Sequence, residues 1–122
     1  MQIKVFKFGG ASVKDSEGFR NVGQILQKYS DEKIVVVVSA MGKTTNALEE
    51  VVKSFYAQDG QTEALLLKIK SSHVALIQEL FPVSQAVLDD INDAFVEIEW
   101  ILEEVPHEDF DYTYDQIVSI GE

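Results

Sequence analysis

Lys7 stands two residues ahead of the pair Gly9-Gly10, and Ser12 follows closely. Without Cβ atoms, two adjacent glycines let a backbone turn sharply and come close to a ligand. Their N–H groups can then face an anion while Lys7 adds a positive charge beside it. That is the chemistry of a phosphate or carboxylate site. Taken alone, Lys-x-Gly-Gly has a competing reading: an ordinary strand-to-helix turn carrying one surface lysine. A second polar cluster, Ser39-Ala40-Met41-Gly42-Lys43-Thr44-Thr45-Asn46, strengthens the first reading because it follows directly on a run of valines. Gly42-Lys43-Thr44 resembles the end of a P-loop, but that motif needs a glycine at the position that Val37 occupies.

These residues meet only if the elements around them are arranged to bring them together. Ile3 to Phe8 is predicted to be a strand. A helix is predicted over Ser16 to Tyr29, with Phe19, Val22, Ile25, Leu26 and Tyr29 spaced along one face. Asp15 and Ser16 are its candidate caps, and Glu17 suits the positive end of its dipole. After the turn Ser30-Asp31-Glu32-Lys33, the β-branched run Ile34-Val35-Val36-Val37-Val38 forms a second strand. Such a run is expected to be buried on both faces of a parallel sheet. Strand, helix and strand in this order make a right-handed βαβ unit over residues 1–45. Parallel strands end at the same edge, where open α/β sheets bind ligands. Lys7, Gly9, Gly10, Ser39 and Thr45 would then face one crevice.

The segment 46–122 is predicted to be mostly helical. Leu48, Val51, Val52 and Phe55 set one stripe, which ends near Gln58-Asp59-Gly60. Leu66, Ile69, His73, Leu76, Ile77 and Leu80 set a second, between Thr62 and Pro82. Leu88, Ile91, Phe95, Ile98 and Leu102 set a third, between Ser84 and Pro106. The last two form a helical hairpin. His73 lies on its apolar stripe and reads as a packed boundary residue. His107-Glu108 resembles the start of a zinc-protease motif, but Asp111 stands where the second histidine belongs, so no metal site is expected there.

With 122 residues, 46% of them hydrophobic and 25% charged, the chain fits one ordinary globular domain. It has no cysteine, which excludes disulfides and thiolate chemistry. No apolar run reaches membrane-spanning length and no signal core precedes the first strand, so cytoplasm is the expected compartment. All ten Lys and Arg residues lie in residues 1–70, and residues 71–122 carry thirteen acids with none. Nucleic acid and anionic membrane are therefore unexpected partners, and an anionic substrate would meet the first half. Two strands alone do not make a stable doubly covered sheet. The chain also stays apolar through Ile117-Val118-Ser119-Ile120, so a piece of a longer protein is expected.

Lys7-Phe8-Gly9-Gly10-Ala11-Ser12 resembles the opening signature of aspartate kinases, and Val38 to Asn46 resembles their second motif. Ser119-Ile120-Gly121-Glu122 is similar to their third, a Ser-x-Gly-Glu. Ala11 departs from the family's usual threonine and removes one hydroxyl near the turn. The resemblance implies an α/β, three-layer αβα amino-acid-kinase (carbamate-kinase-like) fold with a parallel-rich sheet and a helical hairpin. It implies phosphoryl transfer from ATP with Mg2+ to the β-carboxylate of L-aspartate, the first step of lysine, threonine and methionine synthesis. By the same resemblance, Lys7 is catalytic, and Lys7, Gly9, Gly10 and Ser12 bind phosphate. Ser39 and Thr45 hydrogen-bond aspartate, and Glu122 accepts its ammonium group. Ser39 and Thr45 as helix caps, and Glu122 as an exposed terminus, are the alternative readings. The resemblance puts the nucleotide-binding half, an arginine, an aspartate and the regulatory domains beyond residue 122, so this chain alone is expected to be inactive and to bind no ATP. Self-association is expected through the open sheet edges or the hairpin, giving a homo-oligomer. The alternatives are a sibling kinase acting on another carboxylate or carbamate, and a non-catalytic anion-binding or oligomerisation module.

Overall fold

The computed structural model describes residues 2–122, in two compact units, 2–43 and 44–122. In the first unit, strand β1 (Lys4–Phe8) runs parallel to β2 (Ile34–Val38), with Lys4 opposite Ile34 and Phe8 opposite Val38. Helix α1 (Ser16–Gln27) lies between them in the chain, preceded by a 3-10 turn at Gly10–Val13. Side chains alternate across a strand, so Phe6 and Phe8 share the face on which Val13, Phe19, Val22, Ile25 and Leu26 pack. Asp15 caps α1 by accepting the Gly18 N–H at 2.8 Å. The helix stops two residues earlier than its stripe suggests. Lys28 and Tyr29 donate to the carbonyls three residues back, which tightens the last turn, and the Tyr29 ring packs against Phe6 with centroids 4.9 Å apart.

The valine strand is not buried on both faces. Val35, Val37 and Val38 keep 49%, 47% and 50% of their surface exposed. For Val35 and Val37 the cause is supply: among the described residues α1 is the one α-helix of this unit, and it covers the Phe6–Phe8 face; Val38, opposite Phe8, is exposed at the end of its strand. Val5 and Lys7 share the uncovered face with Val35 and Val37.

The second unit is helical throughout: α2 (Thr44–Ala57), α3 (Thr62–Leu80), α4 (Gln85–Glu103) and α5 (Phe110–Gly121). Its core joins Leu48, Val51 and Val52 of α2, Leu66 and Ile69 of α3, Phe95 and Ile98 of α4, and Ile117 and Val118 of α5. Each of the three predicted stripes supplies this core. His73 sits at its boundary, hydrogen-bonded through Nδ1 to the Ile69 carbonyl at 2.9 Å and edge-on to Phe95. α5 is a separate helix after Pro106, started by the Asp109 carboxylate, which accepts the Asp111 N–H at 3.0 Å. The Tyr56 hydroxyl pins the chain ahead of α5, lying 2.8 Å from the His107 carbonyl and 2.9 Å from Thr113 Oγ1. Among the described residues no helix is long and apolar enough to cross a membrane.

The α2–α3 turn carries two left-handed residues, Gln58 at φ 52° and Gly60 at φ 77°. Asp59 between them accepts the Ser54 hydroxyl and the Gln61 N–H. Those two donors, Ser54 foremost, hold its carboxyl below the ordinary value of 3.8. A depressed folded pKa contributes stability that is present above 3.8 and is lost as pH falls through the lower folded value. Asp59→Asn is therefore expected to lower Tm at neutral pH. The gap from the parent chain should close on acidification below the ordinary carboxylate value. A gap independent of pH in thermal melts would contradict this account of the turn.

Candidate active site

The first unit holds the glycine turn and Ser39. β1 delivers Lys7 opposite Val37, then Phe8, whose carbonyl accepts the Ser39 N–H at 3.0 Å. That bond extends the ladder past both strands and sets Ser39 beside the glycine turn. Gly9 opens the 3-10 turn in an extended conformation at φ −80°, ψ 177°, and its carbonyl accepts the Ser12 N–H at 3.0 Å. A Cβ on Gly10 would stand 3.6 Å from the Gly42 carbonyl oxygen, so the two polar segments pack against each other. Gly42 itself is left-handed, at φ 54°.

The sequence argument that both glycines are needed for a sharp turn holds only in part. Gly9 has a φ open to any residue, and a Cβ there would meet nothing within 4 Å. Its missing side chain leaves open space against the backbone, which suits close approach by a ligand rather than a bend in the chain.

Electrostatics favour an anion at this edge. Lys4 is engaged, 2.6 Å from Glu32 and over the Tyr29 ring, and the Glu32 carboxylate raises its pKa above the ordinary lysine value. Lys7, on the opposite face, has no carboxylate partner among the described residues. Residues 1–43 carry seven Lys and Arg against four acids, and residues 44–122 carry three against seventeen. Positive charge is concentrated in the unit that holds the glycine turn.

The helical unit holds a separate polar pair. Thr45, in the first turn of α2, donates its hydroxyl to the carboxylate of Glu122, 77 residues away at the end of α5. Two side chains from motifs far apart in sequence therefore meet. Gly121 makes the meeting possible. A Cβ there would lie 2.5 Å from Cδ1 of Leu48, a side chain with no exposed surface. The absent methyl lets the end of α5 close on α2.

A family model described as the amino acid kinase family matches residues 2–122. The chain belongs to the amino acid kinase family. Aspartokinase of Chlamydia trachomatis is 35% identical to it over 101 residues, covering 82% of this chain and 22% of the relative. Chloroplastic aspartokinase 1 of Arabidopsis thaliana is 38% identical over 80 residues, covering 62% of this chain and 14% of the relative. Aspartokinase of Bacillus sp. strain MGA3 is 38% identical over 78 residues, covering 62% and 19%. The chain spans less than a quarter of the length of these curated relatives.

For this amino acid kinase chain, the parallel βαβ unit and the helical hairpin agree with the α/β architecture expected from the motifs. Two contributors escaped the sequence reading. Gly18 lies so close to the 3-10 turn that a Cβ would sit 2.5 Å from the Ser12 carbonyl oxygen. Lys14 follows the turn directly, and its carbonyl lies 3.8 Å from where a Cβ on Gly42 would be. The position of Lys14 two residues past Ser12 was the available signal. Nothing in the local sequence marks Gly18.

Proposed function

We propose that this chain is the acceptor-side part of an aspartate kinase. Such an enzyme moves the γ-phosphoryl group of ATP to the β-carboxylate of L-aspartate and gives 4-phospho-L-aspartate. The observation that carries the reading is the Thr45–Glu122 pair, which joins the second and third motifs in one polar site. The aspartokinase names of the relatives support the choice of acceptor. Lys7 neutralises charge on the transferred phosphoryl group, and the amides of Gly9 and Gly10 with Ser12 cradle it. Ser39 and Thr45 orient the aspartate. The Glu122 oxygen not taken by Thr45 receives the substrate ammonium in a charge-assisted hydrogen bond.

Magnesium neutralises the nucleotide phosphates in reactions of this class and is held largely by those phosphates. Among the described residues no three carboxylate or imidazole groups converge to hold a metal. The cysteine-free composition supports a cytoplasmic setting. The unpaired outer edges of β1 and β2 support assembly with further copies.

Thr45→Val tests the reading, because it keeps the volume and removes the hydroxyl. In an active enzyme carrying this segment it is expected to raise KM for aspartate about tenfold and leave KM for ATP nearly unchanged. A sharp fall in Tm with both KM values intact would assign Thr45 to structure alone.

A further inference from the structure

The helical unit contains a second cavity of about 520 Å³ that the kinase reading does not use. Trp100 of α4 and Tyr112 of α5 line it, with His107 from the connecting loop and the carboxylates Glu97 and Glu104. Trp100 is the single tryptophan of the chain, and 63% of its surface is exposed. So large an exposed ring is unusual where a helix face could have buried it. Tyr112, 49% exposed, is held in place from two sides. The His107 ring lies against it with centroids 4.5 Å apart, and Gln116 Nε2 donates to its hydroxyl at 3.1 Å. His107 is fixed in turn, its Nδ1 accepting the Asp109 N–H at 3.0 Å.

Glu97 precedes Trp100 by three positions, a spacing that shares one helix face, and Glu104 lines the same cavity from the C-cap of α4. Neither carboxylate has a cationic partner among the described residues. None can come from nearby in the chain, because residues 71–122 contain no Lys or Arg. Another cavity of this unit, about 400 Å³ between α3 and α4, differs on this point, since Lys70 stands among its glutamates.

Aromatic faces attract cations through their quadrupoles, and unpaired carboxylates beside them add direct attraction. A volume near 500 Å³ suits a small organic molecule. From this combination we infer that the Trp100–Tyr112 cavity is a binding site for an organic cation, a guanidinium or ammonium group on a short apolar stem. The inference is independent of the proposed kinase activity.

Trp100 is its own reporter. Butylguanidinium, titrated into the chain at low ionic strength, is expected to change indole fluorescence saturably. Butylurea, nearly isosteric and neutral, should require at least about tenfold more ligand. Glu97→Gln, Glu104→Gln and Tyr112→Leu should each weaken the cation about three- to tenfold, and added salt should weaken it further. If Tyr112→Leu fails to fold by circular dichroism, the two exposed Glu→Gln variants carry the test. A capped Ala-Arg-Ala peptide binding more tightly than butylguanidinium would assign the site to an arginine of a polypeptide; equal or weaker binding would assign it to a free small cation. Equal midpoints for butylguanidinium and butylurea, or no saturable response to either, would overturn the inference.

Discussion

Lys7→Ala, in an active kinase that carries this segment, is expected to lower kcat by about a hundred- to a thousandfold with little change in either KM. Among the described residues Lys7 has no carboxylate partner, so its charge is available to a ligand. Charge that develops on a phosphoryl group in the transition state is where a preorganised cation contributes most, about 3–4 kcal/mol of barrier. Binding of the ground state gains less from it, which is why kcat rather than KM carries the loss. Lys7→Arg should recover part of the rate. Steady-state kinetics on folded variants decide the matter: near-normal turnover of Lys7→Ala would remove this residue from the chemistry.

Gly18→Ala is expected to be the most damaging conservative change in the first unit. The added methyl carbon would stand 2.5 Å from a backbone oxygen, that of Ser12, and backbone cannot rotate aside as a side chain can. Either α1 shifts or the 3-10 turn does, at about 2–3 kcal/mol. The turn holds Gly9, Gly10 and Ser12, so the same change should lower phosphoryl transfer in an active enzyme. Gly23, also in α1, provides the control, because a Cβ there would meet nothing within 4 Å. Gly23→Ala should be neutral or stabilise the chain by up to about 1 kcal/mol, through helix propensity alone. Equal melting temperatures for the two variants would contradict the packing described for Gly18.

Some of this was legible in the sequence. The β-branched run Ile34–Val38 marked its strand to the residue, because that pattern has few other uses. The helix ends followed Gly60, Pro82 and Pro106, which act locally. Both apolar stripes of the hairpin reached the core for the same reason. What the valines could not convey was their covering, since burial depends on elements far away in the chain. The glycine roles divide in the same way. Gly9 and Gly10 stood out through their position after a strand, whereas Gly18 and Gly121 matter because of what lies opposite them, a Ser12 carbonyl and a Leu48 side chain. α5 fell within the segment expected to be mostly helical, but its separate start was not assigned, although Asp109 was an available signal. The encounter of Thr45 with Glu122 across 77 residues was suggested by the family resemblance and could not have come from spacing.

The fit of Gly121 against Leu48 has an evolutionary consequence. Leu48 is fully enclosed and Gly121 borders a residue of the polar pair, so neither position is free to drift alone. A methyl gained at 121 needs carbon removed at 48, and the reverse order leaves a void at the centre of the helical unit. Homologous chains should therefore change these two positions together, Leu48→Val accompanying Gly121→Ala, with the single changes rare. Selection on the Thr45–Glu122 pair would thus appear as covariation in the hydrophobic core, at positions that make no polar side-chain contact themselves.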